Sequence, residues 1–97
     1  MITNDGFLFL SKCIKDNITF PQARISGTWR NGDIQDIETT EKSVIIKCYF
    51  SEIIVGKIES YRLLLKNGNT LLAKNDTIVK DDSRGLLVVF EINITED

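Results

Sequence analysis

The clearest pattern in this chain is the alternation of apolar and polar residues that a β-strand with one buried face produces. The longest such run lies in residues 86–95, where every second residue is apolar: Leu86, Val88, Phe90, Ile92 and Ile94. A second run predicts a strand over 43–50 with four inward side chains, which are Val44, Ile46, Cys48 and Phe50. Both segments are therefore predicted to be half-buried strands.

An Asn31-Gly32 pair predicts a tight turn, because both residue types tolerate the positive φ angles of a type I′ turn. The strand-like segments on either side of it would then form a hairpin. Strict alternation would put Ile34 and Ile37 on opposite faces of the second strand. A β-bulge near Gln35-Asp36 would return Ile37 to the core side, so we predict one there.

A second pair, Asn67-Gly68, predicts another hairpin with a type I′ turn, between residues 57–66 and 69–75. A two-residue loop would pair Leu65 with Thr70, Leu64 with Leu71, and Leu63 with Leu72. Both faces of this hairpin are then apolar near the turn. We therefore expect a strand pair covered on two sides, by the N-terminal helix or by another sheet layer.

A third hairpin is predicted from residues 77–80 and 86–95, which flank the polar loop 81–85. The apolar run at Ile53-Ile54-Val55, followed by Gly56, fits a turn or a strand crossing, and its form stays open. Turn residues thus recur every eight to twelve positions along most of the chain. This spacing is typical of small antiparallel barrels and sandwiches.

The N-terminal stretch favours one short helix over residues 5–16, since apolar residues recur there at helical spacing, at Phe7, Leu10 and Ile14. Asn4 or Asp5 could cap the start of this helix. Two lysines, Lys12 and Lys15, would lie near its C-terminal end, where positive charge is favourable. Residues 7–10 also alternate as they would on a strand, which remains the alternative.

Composition supports this sheet-rich interpretation. The 97 residues include fourteen isoleucines and only two alanines, and β-branched side chains favour strands whereas alanine favours helices. We predict one domain, residues 1–97, that is all-β or β-rich α+β. Its expected architecture is a small antiparallel barrel or sandwich of about six to eight strands built from hairpins, with one short N-terminal helix.

Charge and cysteine content restrict the partners and the compartment. Twelve basic and fourteen acidic residues give a net charge of −2, which offers no general attraction to nucleic acid or to anionic membranes. Cys13 and Cys48 lack metal-type spacing and are too few for a disulfide framework, so both are predicted to be reduced. No apolar stretch is long enough for a membrane span. We expect a cytoplasmic protein.

Several chemistries lack their residues in this chain. There is no histidine, so a histidine-activated nucleophile cannot form from this sequence. The carboxylates that follow the first predicted turn, Asp33, Asp36, Glu38 and Glu41, suit a solvated hairpin rim better than a catalytic pair or a calcium loop. The six glycines are isolated and form no phosphate loop. We predict no enzyme activity, no cofactor and no metal.

The leading functional prediction is a non-enzymatic interaction module that acts through protein contacts, including contacts between its own copies. The candidate surface combines aromatic and arginine side chains, which protein interfaces enrich, at Trp29, Arg30, Tyr49, Tyr61 and Arg62. The two tyrosines fall on the polar parity of their strands and are expected to be exposed. The alternative is a barrel that binds a small ligand or single-stranded nucleic acid. A carboxylate-dependent enzyme is the weaker alternative.

Overall fold

The computed structural model has one N-terminal helix and seven strands arranged in two antiparallel sheets. It describes residues 3–40, 42–51, 55–80, 83 and 85–94. The elements are α1 (Asn4–Asn17), β1 (Ile18–Ile25), β2 (Thr28–Asn31), β3 (Asp33–Thr39), β4 (Ser43–Phe50), β5 (Gly56–Leu65), β6 (Thr70–Lys80) and β7 (Leu86–Asn93). Sheet A has the strand order β2-β1-β5-β6, and sheet B has the order β3-β4-β7. The predicted β-rich architecture is confirmed. Within the described residues the strands do not close into a barrel.

The predicted helix is confirmed, with a different cap. Thr3 is the N-cap residue, and its hydroxyl accepts a hydrogen bond from the backbone N–H of Gly6 at 3.0 Å, which satisfies one of the free donors of the first turn. Asp5 lies in the first turn and Lys15 in the last, both favourable positions in the helix dipole. The helix ends where Ile18 becomes extended and begins β1.

The first predicted hairpin is wrong, because the chain turns earlier. Strand β1 pairs with β2 around Ser26 and Gly27, whose φ angles of 52° and 79° are typical of a type I′ turn. The Asn31-Gly32 pair instead joins β2 of sheet A to β3 of sheet B. Gly32 is buried there, and a Cβ atom on it would lie 2.6 Å from the ring of Phe50. Glycine is thus required at Gly32 because the backbone there passes close to the ring of Phe50, and not because the position forms a tight turn.

The predicted bulge is present, although the partner strand is β4. Ile34 is opposite Cys48 and Asp36 is opposite Lys47, which leaves Gln35 as the extra residue. Ile37 therefore returns to the core side, as the sequence predicted, and both isoleucines pack against the buried cluster. The same bulge places Asp36 on the outer side of β3.

The second predicted hairpin, β5–β6, is confirmed, but its turn is not type I′. Gly68 has the expected positive φ of 90°, whereas Asn67 has none. The N–H of Gly68 donates to the carbonyl of Leu65 at 3.0 Å, and the N–H of Leu65 donates to the carbonyl of Asn69 at 2.8 Å. This is a four-residue turn followed by a glycine bulge. Leu63 is opposite Leu72 as predicted, but Leu64 is opposite Thr70 instead of Leu71, and Leu65 and Thr70 are not paired with each other.

The third predicted hairpin is wrong, because β6 and β7 belong to different sheets. Strand β6 is the outer strand of sheet A, and β7 pairs with β4 in sheet B along its whole length. Asp81, Asp82 and Arg84 of the predicted loop lie outside the described residues, as do Ile53 and Ile54. The predicted inward faces are nevertheless correct, since Val88 and Phe90 are buried and all four inward residues of β4 are fully buried.

A single hydrophobic cluster joins the two sheets. Sheet A contributes residues of β1 and β5, and sheet B contributes residues of β4 and β7. Among its largest fully buried side chains are Tyr61, Phe50, Ile46, Ile58 and Leu63. Because the two inner faces share this core, the outer faces of the sheets point away from each other.

Candidate functional site

The structure separates the five residues of the predicted surface. Trp29 and Arg62 lie together on the outer face of sheet A, and Tyr49 lies on the outer face of sheet B. Arg30 is exposed on β2 and points to the opposite side of that strand from Trp29. Tyr61 is only 1% exposed and belongs to the core. Only two of the five residues therefore form one site.

The expected exposure of Tyr61 is wrong because β5 contains a bulge. Ile58 is opposite Ile25 and Ser60 is opposite Arg24, which leaves Glu59 as an extra residue with no partner on β1. One extra residue reverses the side on which every following side chain lies. Tyr61 thereby joins Ile58 on the inner face, and Arg62 moves to the outer face.

The outer face of sheet A presents a stacked arginine and tryptophan. The guanidinium carbon of Arg62 lies 3.9 Å from the centroid of the Trp29 ring, which is a close cation–π contact. The guanidinium of Arg24, directly opposite Trp29 in the register, lies 6.0 Å from the same centroid. One indole ring is therefore flanked by two arginines from β1 and β5.

Side-chain hydrogen bonds hold Arg62 in this position. Its Nε donates to Oε1 of Gln22 at 2.8 Å, and Nε2 of Gln22 donates to Oδ1 of Asn31 at 2.8 Å. These three residues face one another across β5, β1 and β2. The guanidinium plane is thus oriented before any partner arrives, which lowers the entropy cost of binding.

No carboxylate neutralises these arginines within the part of the chain that the structure describes. Neither Arg24 nor Arg62 forms a salt bridge there, and the described pair is Lys47 with Glu38 in sheet B. The residues that pair on this outer face around Trp29 are Gln22, Arg24, Trp29, Asn31, Ser60, Arg62, Ala73 and Asn75. We call this set the Trp29 face. Lys57 and the unpaired bulge residue Glu59 are its charged neighbours on β5. The set presents two arginines around one aromatic ring.

The outer face of sheet B has the opposite charge. The bulge at Gln35 brings Asp33, Asp36 and Glu38 to the same side of β3, opposite three residues of β4. Between the pairs Asp33–Tyr49 and Ile45–Glu91, the described residues of this face are Asp33, Asp36, Glu38, Ile45, Lys47, Tyr49, Leu87, Val89 and Glu91. We call this set the acidic face. It has four carboxylates and a single lysine, Lys47, which is 3.0 Å from Glu38.

An apolar cavity of about 260 Å³ opens between the helix and the sheets. Helix α1, strands β5 and β6, and the residue after β7 line it, with the side chains of Leu10, Cys13, Ile14, Leu65, Leu71 and Ile94. Sequence reasoning missed this site, since residues from distant parts of the chain meet there only after the sheets pack. Cys13 is half-buried in this lining.

Two buried side chains, those of Cys48 and Tyr61, have raised pKa values. Burial raises the pKa of the Cys48 thiol to about 12, which keeps it protonated and unreactive. Burial, followed by the nearby charge of Asp76, raises the pKa of Tyr61. Both cysteines are free thiols. Across the described residues, no three potential metal ligands come together.

Comparisons with protein-family models, with curated proteins and with solved structures found no match to this chain. The helix that the structure describes is too short and too polar to cross a membrane.

Proposed function

We propose that this protein is a non-enzymatic interaction module and that its Trp29 face binds an acidic surface of a protein partner. The observation that carries the proposal is the Arg62–Trp29 stack beside Arg24, two arginines that form no salt bridge within the described residues. Tryptophan and arginine are the residues most enriched among interface hot spots. Two free thiols suit a reducing compartment such as the cytoplasm.

Energetics favour a partner that covers this face. An exposed cation–π pair stabilises by roughly 0.5–1 kcal/mol, and by about 2 kcal/mol once water is excluded. A partner that buries the indole while its carboxylates bind the two guanidinium groups would therefore gain from the stack and from charge-assisted hydrogen bonds. The orienting bonds through Gln22 mean that Arg62 loses little freedom on binding.

Single-stranded nucleic acid is the second candidate for this face, because arginines that lack carboxylates also suit phosphates and an indole can stack on a base. The face has only one aromatic ring and two arginines, however, whereas strand-binding grooves stack successive bases along a basic track. The net charge of −2 also opposes long-range attraction of nucleic acid. Protein partners therefore fit the site better.

A small apolar ligand is the third candidate, and the cavity beside Cys13 supports it. Its volume of about 260 Å³ lies just below the roughly 300–1,000 Å³ of typical ligand sites. The described lining offers no charged or amide group to orient a ligand, which makes a specific small-molecule site the weaker interpretation.

The test uses Trp29 as its own reporter, because it is the only tryptophan in the chain. Titration with an acidic polyglutamate peptide should change its fluorescence, and a single-stranded oligonucleotide should change it at least tenfold more weakly. Arg24→Glu with Arg62→Glu should abolish the peptide response. The matched control, Lys12→Glu with Lys15→Glu, makes the same change in net charge on helix α1 and should retain it. If the oligonucleotide binds more tightly than the peptide, the partner of this face is nucleic acid and not a protein.

A further inference from the structure

We propose that one partner of the Trp29 face is the acidic face of a second copy of this chain, so that copies associate head to tail. This inference rests on the proposed function, because it names the acidic surface that the Trp29 face would bind. It extends the proposal by assigning a role to the outer face of sheet B and by fixing the geometry of self-association.

Charge complementarity is the first argument. The Trp29 face has two arginines and no described acid, whereas the acidic face has four carboxylates and one lysine. Within the described residues Asp33 and Glu91 form no ion pair, while Glu38 is already bound by Lys47. Opposite charge on two faces of one molecule steers copies together and sets which faces meet.

The exposed apolar side chains are complementary as well. On the acidic face, Leu87 and Val89 of β7 are 50% and 43% exposed, and Glu91 follows them on the same side of that strand. Apolar side chains beside a carboxylate can cover an indole ring while the carboxylate binds its flanking arginine. The pattern on the acidic face is thus the counterpart of the Arg24–Trp29–Arg62 arrangement.

A closed two-fold dimer is disfavoured by the same charges. A two-fold axis would place each face against its own copy, so that arginines would oppose arginines or carboxylates would oppose carboxylates. Because the outer faces of the two sheets point away from each other, a head-to-tail contact leaves one face free at each end. Further copies can then add, which gives an open chain of molecules.

The contact area predicts weak association. Three strands spaced by about 4.8 Å with eight residues of about 3.3 Å each give a footprint of roughly 400 Å² on each copy. Stable interfaces bury about 800 Å² on each partner, so this contact belongs with transient ones. Association should therefore depend strongly on protein concentration, and salt should weaken it.

Two complementary variants test this geometry by sedimentation velocity. The first, Arg24→Glu with Arg62→Glu, removes the Trp29 face. The second, Asp33→Asn with Glu91→Gln, neutralises two exposed carboxylates of the acidic face without creating positive charge that could bind the glutamates of the first variant. Each variant alone should be monomeric at concentrations of about 1 mM where the wild type associates. An equimolar mixture should form a 1:1 complex and nothing larger, because only one productive contact remains.

Thermal melts of the same samples show whether each variant folds, and Arg24→Glu alone provides a milder version at an exposed position. Lys12→Glu with Lys15→Glu, on helix α1, should leave self-association at its wild-type level. A monomeric wild type at about 1 mM, or a mixture that stays monomeric, would overturn the head-to-tail contact. The proposed function fails separately, if Trp29 fluorescence does not respond to the acidic peptide.

Discussion

The ring of Tyr61 packs against the ring of Phe50, with centroids 5.9 Å apart and planes tilted by 46°. Tyr61 belongs to β5 of sheet A and Phe50 to β4 of sheet B, so this contact joins the two layers. It exists because the bulge at Glu59 turns Tyr61 inward. The residue that sequence parity placed on the surface is therefore one of the largest side chains in the core.

Truncation of Tyr61 should destabilise the fold. Tyr61→Ala removes a fully buried ring and should lower the free energy of unfolding by about 3–5 kcal/mol. Tyr61→Phe keeps the ring and removes a buried hydroxyl that has no hydrogen-bond partner among the described residues. Because that hydroxyl is desolvated without compensation, Tyr61→Phe should leave stability unchanged or raise it by up to about 1 kcal/mol. Urea denaturation of both variants measures the difference, and equal losses would contradict the placement.

Stability should fall at alkaline pH because of Cys48. Its thiol pKa is raised from 9.0 to about 12 by burial. Below pH 9 the thiol is protonated in both folded and unfolded chains, so its contribution is constant. Between pH 9 and 12 only the unfolded chain loses the proton, which lowers the free energy of unfolding by up to about 1.4 kcal/mol per pH unit.

Cys48→Ala provides the comparison for this pH dependence. The variant should be less stable at neutral pH, because a buried side chain is shortened. Its free energy of unfolding should nevertheless change less than that of the wild type between pH 9 and 10, because both proteins keep Tyr61 and only the wild type has the Cys48 thiol. If the free energy of unfolding falls equally with pH in the two proteins, groups other than Cys48 cause the loss of stability.

The two thiols should differ in reactivity. Cys13 is half-buried at the cavity and should react with a small thiol reagent in the folded protein. Cys48 is fully buried with a raised pKa and should react only after denaturation. Mass spectrometry of freshly isolated protein should show two free thiols. An intramolecular disulfide, or modification of Cys48 before Cys13, would be inconsistent with this structure.

Gly32 and Gly68 should respond differently to alanine. Gly68 has open space around it but a φ of 90°, so Gly68→Ala should cost roughly 1 kcal/mol of backbone strain. At Gly32 a Cβ would lie 2.6 Å from the ring of Phe50 and 2.9 Å from the carbonyl oxygen of Tyr49. Gly32→Ala should therefore cost more, about 2 kcal/mol or above. Thermal melts rank the two variants, and the reverse order would contradict the close packing at Gly32.

The amino-acid sequence by itself determined the β-rich architecture, helix α1 and the inward faces of β3, β4 and β7. Alternation identified the buried sides of β4 and β7, and apolar spacing identified helix α1. The bulge at Gln35 also followed from the sequence, because Ile34 and Ile37 are both apolar and a strand with one buried face must bring them to the same side. These features depend on residues close together in the chain.

Only the tertiary structure decided which strands pair and which residues meet at a site. Asn-Gly is a strong turn signal, yet Gly32 lies under the ring of Phe50, a contact between residues eighteen positions apart that no local pattern encodes. The bulge at Glu59 reversed the faces of Tyr61 and Arg62, since its position depends on the register with β1. Arg62 therefore stacks on Trp29 because β1 holds β2 and β5 on either side of it, which is a property of strand order and not of sequence spacing.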